Sequence, residues 1–485
     1  MSDNLKKTML GALKWATVDR VAQQGIQFVI GVILARLLDP KDYGLMGMII
    51  IFAQIAYVMV ESGLGYALVR TTDITETHKN TVFYSNCGIS VILYAVLWFC
   101  APAIATFFNQ PDLVWIARVT FLAILFNALY LVPYNLIGRA LDYKTLTKIN
   151  LTSTILSGIS GILLAFYGLG VWALVVQQTS YHFFRMILFH FYSTWKPAML
   201  FSFQILKGYA GFSVNMLGTS LLTVLFNNIY TLLLGKFYAV KQVGYYTQGN
   251  KMSDTVNFTF LAILSTVYNL MAQIHEQTER VANILRTFTK NVSVITLPLT
   301  LFLIVAAKPL FFLLFGEKWL DAVPYFQLMC AANLFAPLYQ LKVHALNARG
   351  RSRATFLIEL VKRIIIVVSI VVCFWLDWNI KVMLLFYIAS CWLAYALSAI
   401  IIKRELTVYY RHQMLDILHG VLAGALVGAT AYIMSICFDN LYITFCVQSA
   451  ASIAIYSAYQ MLFNHQFLHE TKNLIKGKVD EEEQI

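Results

Sequence analysis

Charge is what this sequence has least of. Only 12% of its 485 residues are charged, against roughly 25% in soluble domains, and 59% are hydrophobic. A soluble globule is excluded on that ground. Long polar connections are missing as well: between successive apolar runs no stretch exceeds roughly 15–20 residues, which leaves no room for a domain outside the membrane. The phosphate-cradling pattern GxxxxGK[ST] is absent, so ATP hydrolysis by this chain is not expected. The seven cysteines (Cys87, Cys100, Cys330, Cys373, Cys391, Cys437 and Cys446) lie mostly inside apolar runs, without metal-ligand spacing. Neither a metal site, a cofactor nor a catalytic residue is therefore expected. The first fifteen residues, MSDNLKKTMLGALKW, carry Lys6, Lys7 and Lys14 but no short apolar core ahead of a small-residue cleavage site, so the first apolar run reads as an uncleaved span.

What the sequence does have is apolar runs almost end to end. Spans are expected near 15–38, 43–63, 82–106, 113–137, 149–167, 171–192, 209–234, 243–272, 286–307, 321–345, 355–376, 382–402, 415–437 and 441–463. The fold class is thus all-α, a polytopic membrane protein of about fourteen helices. Lysine and arginine gather in every second connection, the N-terminal side included (Arg139, Lys144 and Lys148, or Arg349, Arg351 and Arg353), with Arg185 counted among them. They outnumber those on the opposite side by about three to one, which puts both termini in the cytoplasm. The net charge of +12 follows from this topology. Nucleic-acid binding would need the charge gathered on one soluble face, and no nucleic-acid partner is expected.

The chain also repeats itself. Between the first two runs stands LARLLDPKDYGLMGM (34–48), and 200 positions later LLGKFYAVKQVGYYTQ (233–248), with Leu34 over Leu234, Arg36 over Lys236, Lys41 over Lys241 and Gly44 over Gly244. A second pair of basic loops, GRALDYKTLTK (138–148) and VHALNARGRSR (343–353), is 205 positions apart. Two six-span bundles follow, 1–193 and 208–403, with an extra pair of spans at 412–465 and a cytoplasmic tail at 466–485. An even number of spans in each half relates the halves by an axis along the membrane normal, around a central cleft.

The turn LLDPKDYGLM, the following ESGLGYALVR (61–70), GKFYAVKQVGYYTQ and the FGEKW of 315–319 resemble the polysaccharide transporter family of bacterial flippases, over roughly residues 10 to 410. That family belongs to a superfamily that also holds multidrug extruders and the flippase for the peptidoglycan precursor. The resemblance implies a flippase of the bacterial cytoplasmic membrane that moves glycan units linked to polyprenyl pyrophosphate from the inner to the outer leaflet. Its partners would be the lipid-linked oligosaccharide and membrane lipids, with glycan polymerase and export machinery as further candidates. A multidrug or small-cation antiporter of the same superfamily predicts acidic rather than cationic cleft residues. A membrane glycan polymerase or ligase would need a large outer loop for its catalytic side chains, and none is present.

Carrying an anionic pyrophosphate and a polar glycan through hydrocarbon calls for a hydrated, cationic cleft. Cations inside spans are Arg20, Arg118, Lys251, Lys362 and Arg363. The first and eighth spans line the cleft in the family the chain resembles, which makes Arg20 and Lys251 the leading phosphate-binding candidates. Arg20 has the alternative of neutralising its neighbour Asp19 or reaching the interface, and Lys251 that of pairing with Asp254. Polar stripes accompany them: Arg20, Gln23 and Gln27 on the first span, and Asn215, Thr219, Thr223 and Asn227, beside Asn228, on the seventh. They suit sugar hydroxyls or, alternatively, bonds between packed helices. Pro133, Pro298 and Pro337 are candidate kinks. The family often carries an acid in the seventh span, where this chain reads FNNIYTLLLG, so Glu61, Asp254 and Glu359 are the acids left for ion coupling. His182 with Arg185, and His275 with Glu276, form no ligand cluster and read as satisfied interface residues. On this reading Arg20→Ala and Lys251→Ala each cripple glycan export while the protein stays in the membrane; full surface glycan in both variants removes these charges from substrate binding.

Overall fold

In the computed structural model the chain is described over residues 3–463, apart from 62, 63, 66, 67, 69, 70, 72 and 377, with side chains omitted at 3–10, 13, 210–216, 258–263, 265 and 266. The expected tail at 466–485 and part of the ESGLGYALVR segment lie outside the described residues. Apolar runs without access to water must satisfy their backbone internally, so each becomes a helix. The order is α1 (Asp3–Leu37), α2 (Pro40–Glu61), α3 (Glu76–Phe108), α4 (Leu113–Arg139), α5 (Tyr143–Phe166), α6 (Val171–Tyr192), α7 (Phe203–Phe237) and α8 (Val240–Gln273). It continues with α9 (Thr278–Val305), α10 (Ala307–Phe315), a 3-10 turn (Glu317–Ala322), α11 (Val323–Asn333), α12 (Ala336–Ala348), α13 (Ser352–Trp375), α14 (Ile380–Leu406), α15 (Tyr410–Cys437) and α16 (Leu441–Phe463). Among the described residues nine helices are long and apolar enough to cross a bilayer by length and composition.

One expected span differs. The run 321–345 is two helices, α11 and α12, interrupted at Leu334–Phe335, and Pro337 stands in the first turn of α12 rather than late in a continuous helix. A proline there has no donor to lose, so it starts a helix instead of kinking one. Pro133 and Pro298 do lie inside their helices, α4 and α9.

α1 and α7 each have 35 residues, and α5 and α13 each have 24. The turn that opens α2 is fixed locally: Pro40 is its first residue, and the Asp42 carboxylate accepts from the Asp39 backbone N–H at 3.0 Å, half of a capping box.

The chain forms two compact units, Met1–Thr247 and Gln248–Ile485. In the first, α7 and the opening turns of α8 pack with α2. Their crossing admits no side chain: a Cβ on Gly44 would run into the carbonyl oxygen of Val240, and one on Gly244 into that of Pro40. Gly44 and Gly244 are the aligned pair of the repeat, so each glycine of one joint meets the backbone of the other joint. Gly47 stands one turn on, against the side chain of Thr247. Lipid tails supply no hydrophobic drive to associate helices, so close backbone approach over small residues is what holds them.

In the second unit the largest interface joins α9 to α15. Gly420 and Gly424, four residues apart, face Ser293 and Leu297, and a Cβ at Gly420 would meet the Ser293 carbonyl. Arg286 of α9 forms a bidentate pair with Asp416 of α15, Nε to Oδ2 at 3.0 Å and an Nη to Oδ1 at 3.1 Å. The C-terminal helices are thus packed into this unit through α9. Gly44→Ala and Gly244→Ala are each expected to destabilise the detergent-purified protein by about 1–3 kcal/mol, less than additively when combined because both load one crossing. Unfolding midpoints unchanged in both variants would mean that the backbones do not touch.

Candidate functional site

In the first unit the polar and charged groups concentrate where α2, α4 and α6 meet. α4 presents Asn127, Tyr130 and Tyr134, spaced so that they share one face, and α6 presents Tyr181, His182, Arg185 and Phe189. Tyr130 is 2% exposed, and its hydroxyl is the hub: Arg185 donates to it at 3.0 Å, Asn127 at 3.3 Å, and His182 Nδ1 lies 3.0 Å away. The Arg185 guanidinium lies 4.6 Å from the Tyr130 ring centre and within 5.5 Å of Tyr134, Tyr181 and Phe189. Its Nε is buried without a hydrogen-bond partner. Tyr57 of α2 stacks on His182 at 5.0 Å, and Glu61, the exposed last residue of α2, lies within Coulomb range of Arg185.

This is a cation in an aromatic box with one acid nearby. Ring faces attract a guanidinium by about 0.5–2 kcal/mol each, so four of them hold a charge that has no bidentate carboxylate. Arg185, read from sequence as a satisfied interface residue of the sixth span and counted with the cytoplasmic-side charges, lies inside α6. The signal that would have found it is the tyrosine pair Tyr130 and Tyr134 at i, i+4 on one span, with Tyr181, Arg185 and Phe189 at the same spacing on another.

The residues singled out from sequence are placed as follows. Arg20 and Gln27 are exposed on α1. Asp19 does not pair with Arg20: its carboxylate accepts from Gln23 at 3.0 Å and from Asn150 of α5 at 3.1 Å. Gln23 thus belongs to a bond network that ties α1 to α5. On α7, Asn227 is exposed, whereas Asn228 donates to Gln54 of α2 at 2.7 Å and to the Val224 carbonyl at 2.9 Å. The Asn215 side chain lies outside the described residues. Of the outlying cations, Arg118 lies 4.5 Å and 5.0 Å from the ring centres of Trp98 and Trp115.

In the second unit Lys251 and Asp254 are both exposed on α8, and Asp254 accepts from Asn250 at 3.1 Å rather than from the lysine. Glu359 of α13 accepts from the Tyr339 hydroxyl at 2.8 Å and lies 4.0 Å from Lys362. One charge was missed altogether: Lys342, in the middle of α12, is 3% exposed, with its ammonium 3.8 Å from the Tyr395 ring centre. It sits in an apolar run, where a lysine is itself the signal.

Residues 33–324 match the family described as polysaccharide biosynthesis protein. The chain belongs to that family. Within reach of it, the succinoglycan biosynthesis transport protein ExoT of Rhizobium meliloti is 24% identical over 328 residues, which cover 67% of this chain and 66% of that one, so the chain spans just under two thirds of that relative. The teichuronic acid biosynthesis protein TuaB of Bacillus subtilis is 24% identical over 359 residues, 73% of this chain and 74% of its own. The lipopolysaccharide biosynthesis protein WzxC of Escherichia coli is 23% identical over 376 residues, 76% and 75%. Among solved structures, the lipid II flippase MurJ superposes with a TM-score of 0.75 at 13% identity, covering 93% of this chain and 99% of that one. An inward-facing multidrug transporter of the MATE family gives 0.58 at 13%, covering 85% and 98%. At these identities the two structures show a shared fold.

Arg185→Gln is expected to destabilise the purified protein by about 2–4 kcal/mol, from lost ring contacts and a hydrogen bond to a charged donor. Arg185→Lys should recover less than half of the loss, because an ammonium lacks the planar fork. A glutamine variant with the wild-type unfolding midpoint would show that the aromatic box stands without its cation.

Proposed function

We propose that this chain is a flippase that translocates polyprenyl-pyrophosphate-linked oligosaccharide repeat units from the inner to the outer leaflet of the bacterial cytoplasmic membrane by alternating access. The observation that carries the reading is membership of the polysaccharide biosynthesis family over residues 33–324, with relatives named for succinoglycan transport and for teichuronic acid and lipopolysaccharide biosynthesis. Both termini are cytoplasmic in this reading, the chain crosses the bilayer fourteen times, and bundles 1–193 and 208–403 work as the two moving halves. The cations speak for an anionic cargo. Arg20 and Lys251 take the pyrophosphate, and Gln27, Asn215 and Asn227 meet sugar hydroxyls, with Gln23 and Asn228 steadying the helices that carry them. Glu61, Asp254 and Glu359 are the acids through which an ion gradient would act, and membrane potential on a bound anion supplies roughly 2.3 kcal/mol per charge per 100 mV besides.

The lipid tail needs no polar partner. In the second unit an apolar hollow of about 350 Å³, lined by Pro298, Leu299, Phe302, Val427, Ile453 and others, has the character an isoprenoid chain requires.

The decisive experiment deletes the protein in its source bacterium, extracts membrane lipids, identifies pyrophosphate-linked oligosaccharides by mass spectrometry and stains the surface glycan. One lipid-linked repeat unit accumulates as its matching surface polymer disappears. Unchanged lipids and glycan, with redundant transporters also removed, would sink the flippase reading in favour of a drug or cation antiporter.

A further inference from the structure

Lys342 is buried where three other helices converge on α12. The small enclosed space it borders is also lined by Arg286 of α9, Tyr395 of α14, and Gln413 and Asp416 of α15. Three charges therefore share one cavity, two cations and one carboxylate. Asp416 is committed to Arg286 through two hydrogen bonds of 3.0 and 3.1 Å. Lys342 has no hydrogen-bonded or ion-paired partner among the described residues, only the Tyr395 ring, which is itself stacked on Phe335 at 5.0 Å. A ring face offsets only part of the hydration that an ammonium loses on burial. Gln413 turns its amide N–H groups to the carbonyls of Ala399 and Val408, at 3.1 and 2.8 Å, and its buried Oε1 has no donor.

Among the described residues no carboxylate on the other faces of α12 pairs with Lys342. Tyr339 donates to Glu359 of α13, which also lies near Lys362, and Cys391 of α14 lies in range of Tyr339. His344 faces the ring of Tyr268 on α8. Asp416 is the carboxylate that lines the cavity with Lys342.

We propose that Lys342 is a proton-binding site whose occupancy decides how Asp416 is shared. With a proton taken from water, a new N–H bond makes the side chain an ammonium that competes with Arg286 for Asp416 and ties α15 to α12. Once the proton returns to water, the neutral amine leaves Asp416 to Arg286, and the ion pair of α15 is with α9 alone. Two cations contending for one carboxylate make a bistable element, and one proton sets its state. The inference deepens the transport reading and rests on it for its consequence: the proton cycle of Lys342 is coupled to translocation.

The test uses the full chain in two settings. In inside-out vesicles from the deletion strain, with pH equalised on both sides by nigericin, translocation is read as radiolabelled lipid-linked glycan protected from impermeant periodate. The wild-type rate falls as pH rises, by up to ~10-fold per unit, the limit for one titrating proton. Lys342→Met, which keeps the length of the side chain, and Lys342→Arg, whose charge is permanent, both vary less than ~2-fold over the same range. Independently of transport, the unfolding midpoint of purified wild-type protein carries a pH-dependent step that both variants lack. Either variant with the wild-type pH profile in both measurements overturns the proton site. Wild-type vesicles that protect no glycan overturn the flippase reading instead, and the unfolding profiles then still decide the proton site.

Discussion

Two backbones touch in the first unit, and the placement of α2, α7 and the opening of α8 depends on it. The contact is reciprocal: Gly44 lies against the Val240 carbonyl, and Gly244 against the Pro40 carbonyl. Because the partners stand at aligned positions of an internal repeat, the crossing is one that the two copies make with each other. Any side chain at either glycine would meet a rigid carbonyl rather than a flexible neighbour, so nothing nearby can give way. The next turns follow from this. Gly47 must accommodate Thr247, and a Cβ at Gly235 on α7 would meet the Phe108 ring and Met48. With the helices held this close, Asn228 reaches Gln54 across the α2–α7 interface.

Cations inside the protein are handled by a second rule. Carboxylates are scarce, and aromatic faces take their place. Arg185 lies among Tyr130, Tyr134, Tyr181 and Phe189, Arg118 between Trp98 and Trp115, Lys342 over Tyr395, and Lys236 over Phe107. A carboxylate beside each cation would cancel its charge. Ring quadrupoles hold the charge in place and leave its sign intact. Arg286 is the contrast: its bidentate pair with Asp416 is neutral overall and sits at a packed interface.

Helix positions were legible in the sequence because hydrophobic length alone dictates them; the run 171–192 coincides with α6, and the register of Gly44 with Gly244 was readable from the repeat. The interruption at Leu334–Phe335 was not, since an apolar run looks the same whether one helix or two fill it, and the proline that starts α12 resembles one that bends a longer helix. Arg185 was legible as a residue of the sixth span, but its enclosure was not. Only the facing tyrosines on another helix reveal it. Nor does spacing along a chain show which of two adjacent polar groups turns inward, which is why the choice of Arg20 or Gln23 as the partner of Asp19 needed three-dimensional placement.

That last distinction reorganises the polar stripes. Each splits into a part that holds helices together and a part left open. On α1, Gln23 and Asp19 are spent on Asn150 of α5, while Arg20 and Gln27 remain exposed. On α7, Asn228 is spent on α2, while its neighbour Asn227 remains exposed. An amide already satisfied by protein gains little from a sugar hydroxyl, because one hydrogen bond is exchanged for another. An exposed one can take up a ligand without disturbing the packing. The anchoring residues therefore govern stability, and the exposed candidates of the transport reading are Arg20, Gln27 and Asn227 in the first unit and Lys251 in the second, with Asn215, whose side chain lies outside the described residues, kept beside them.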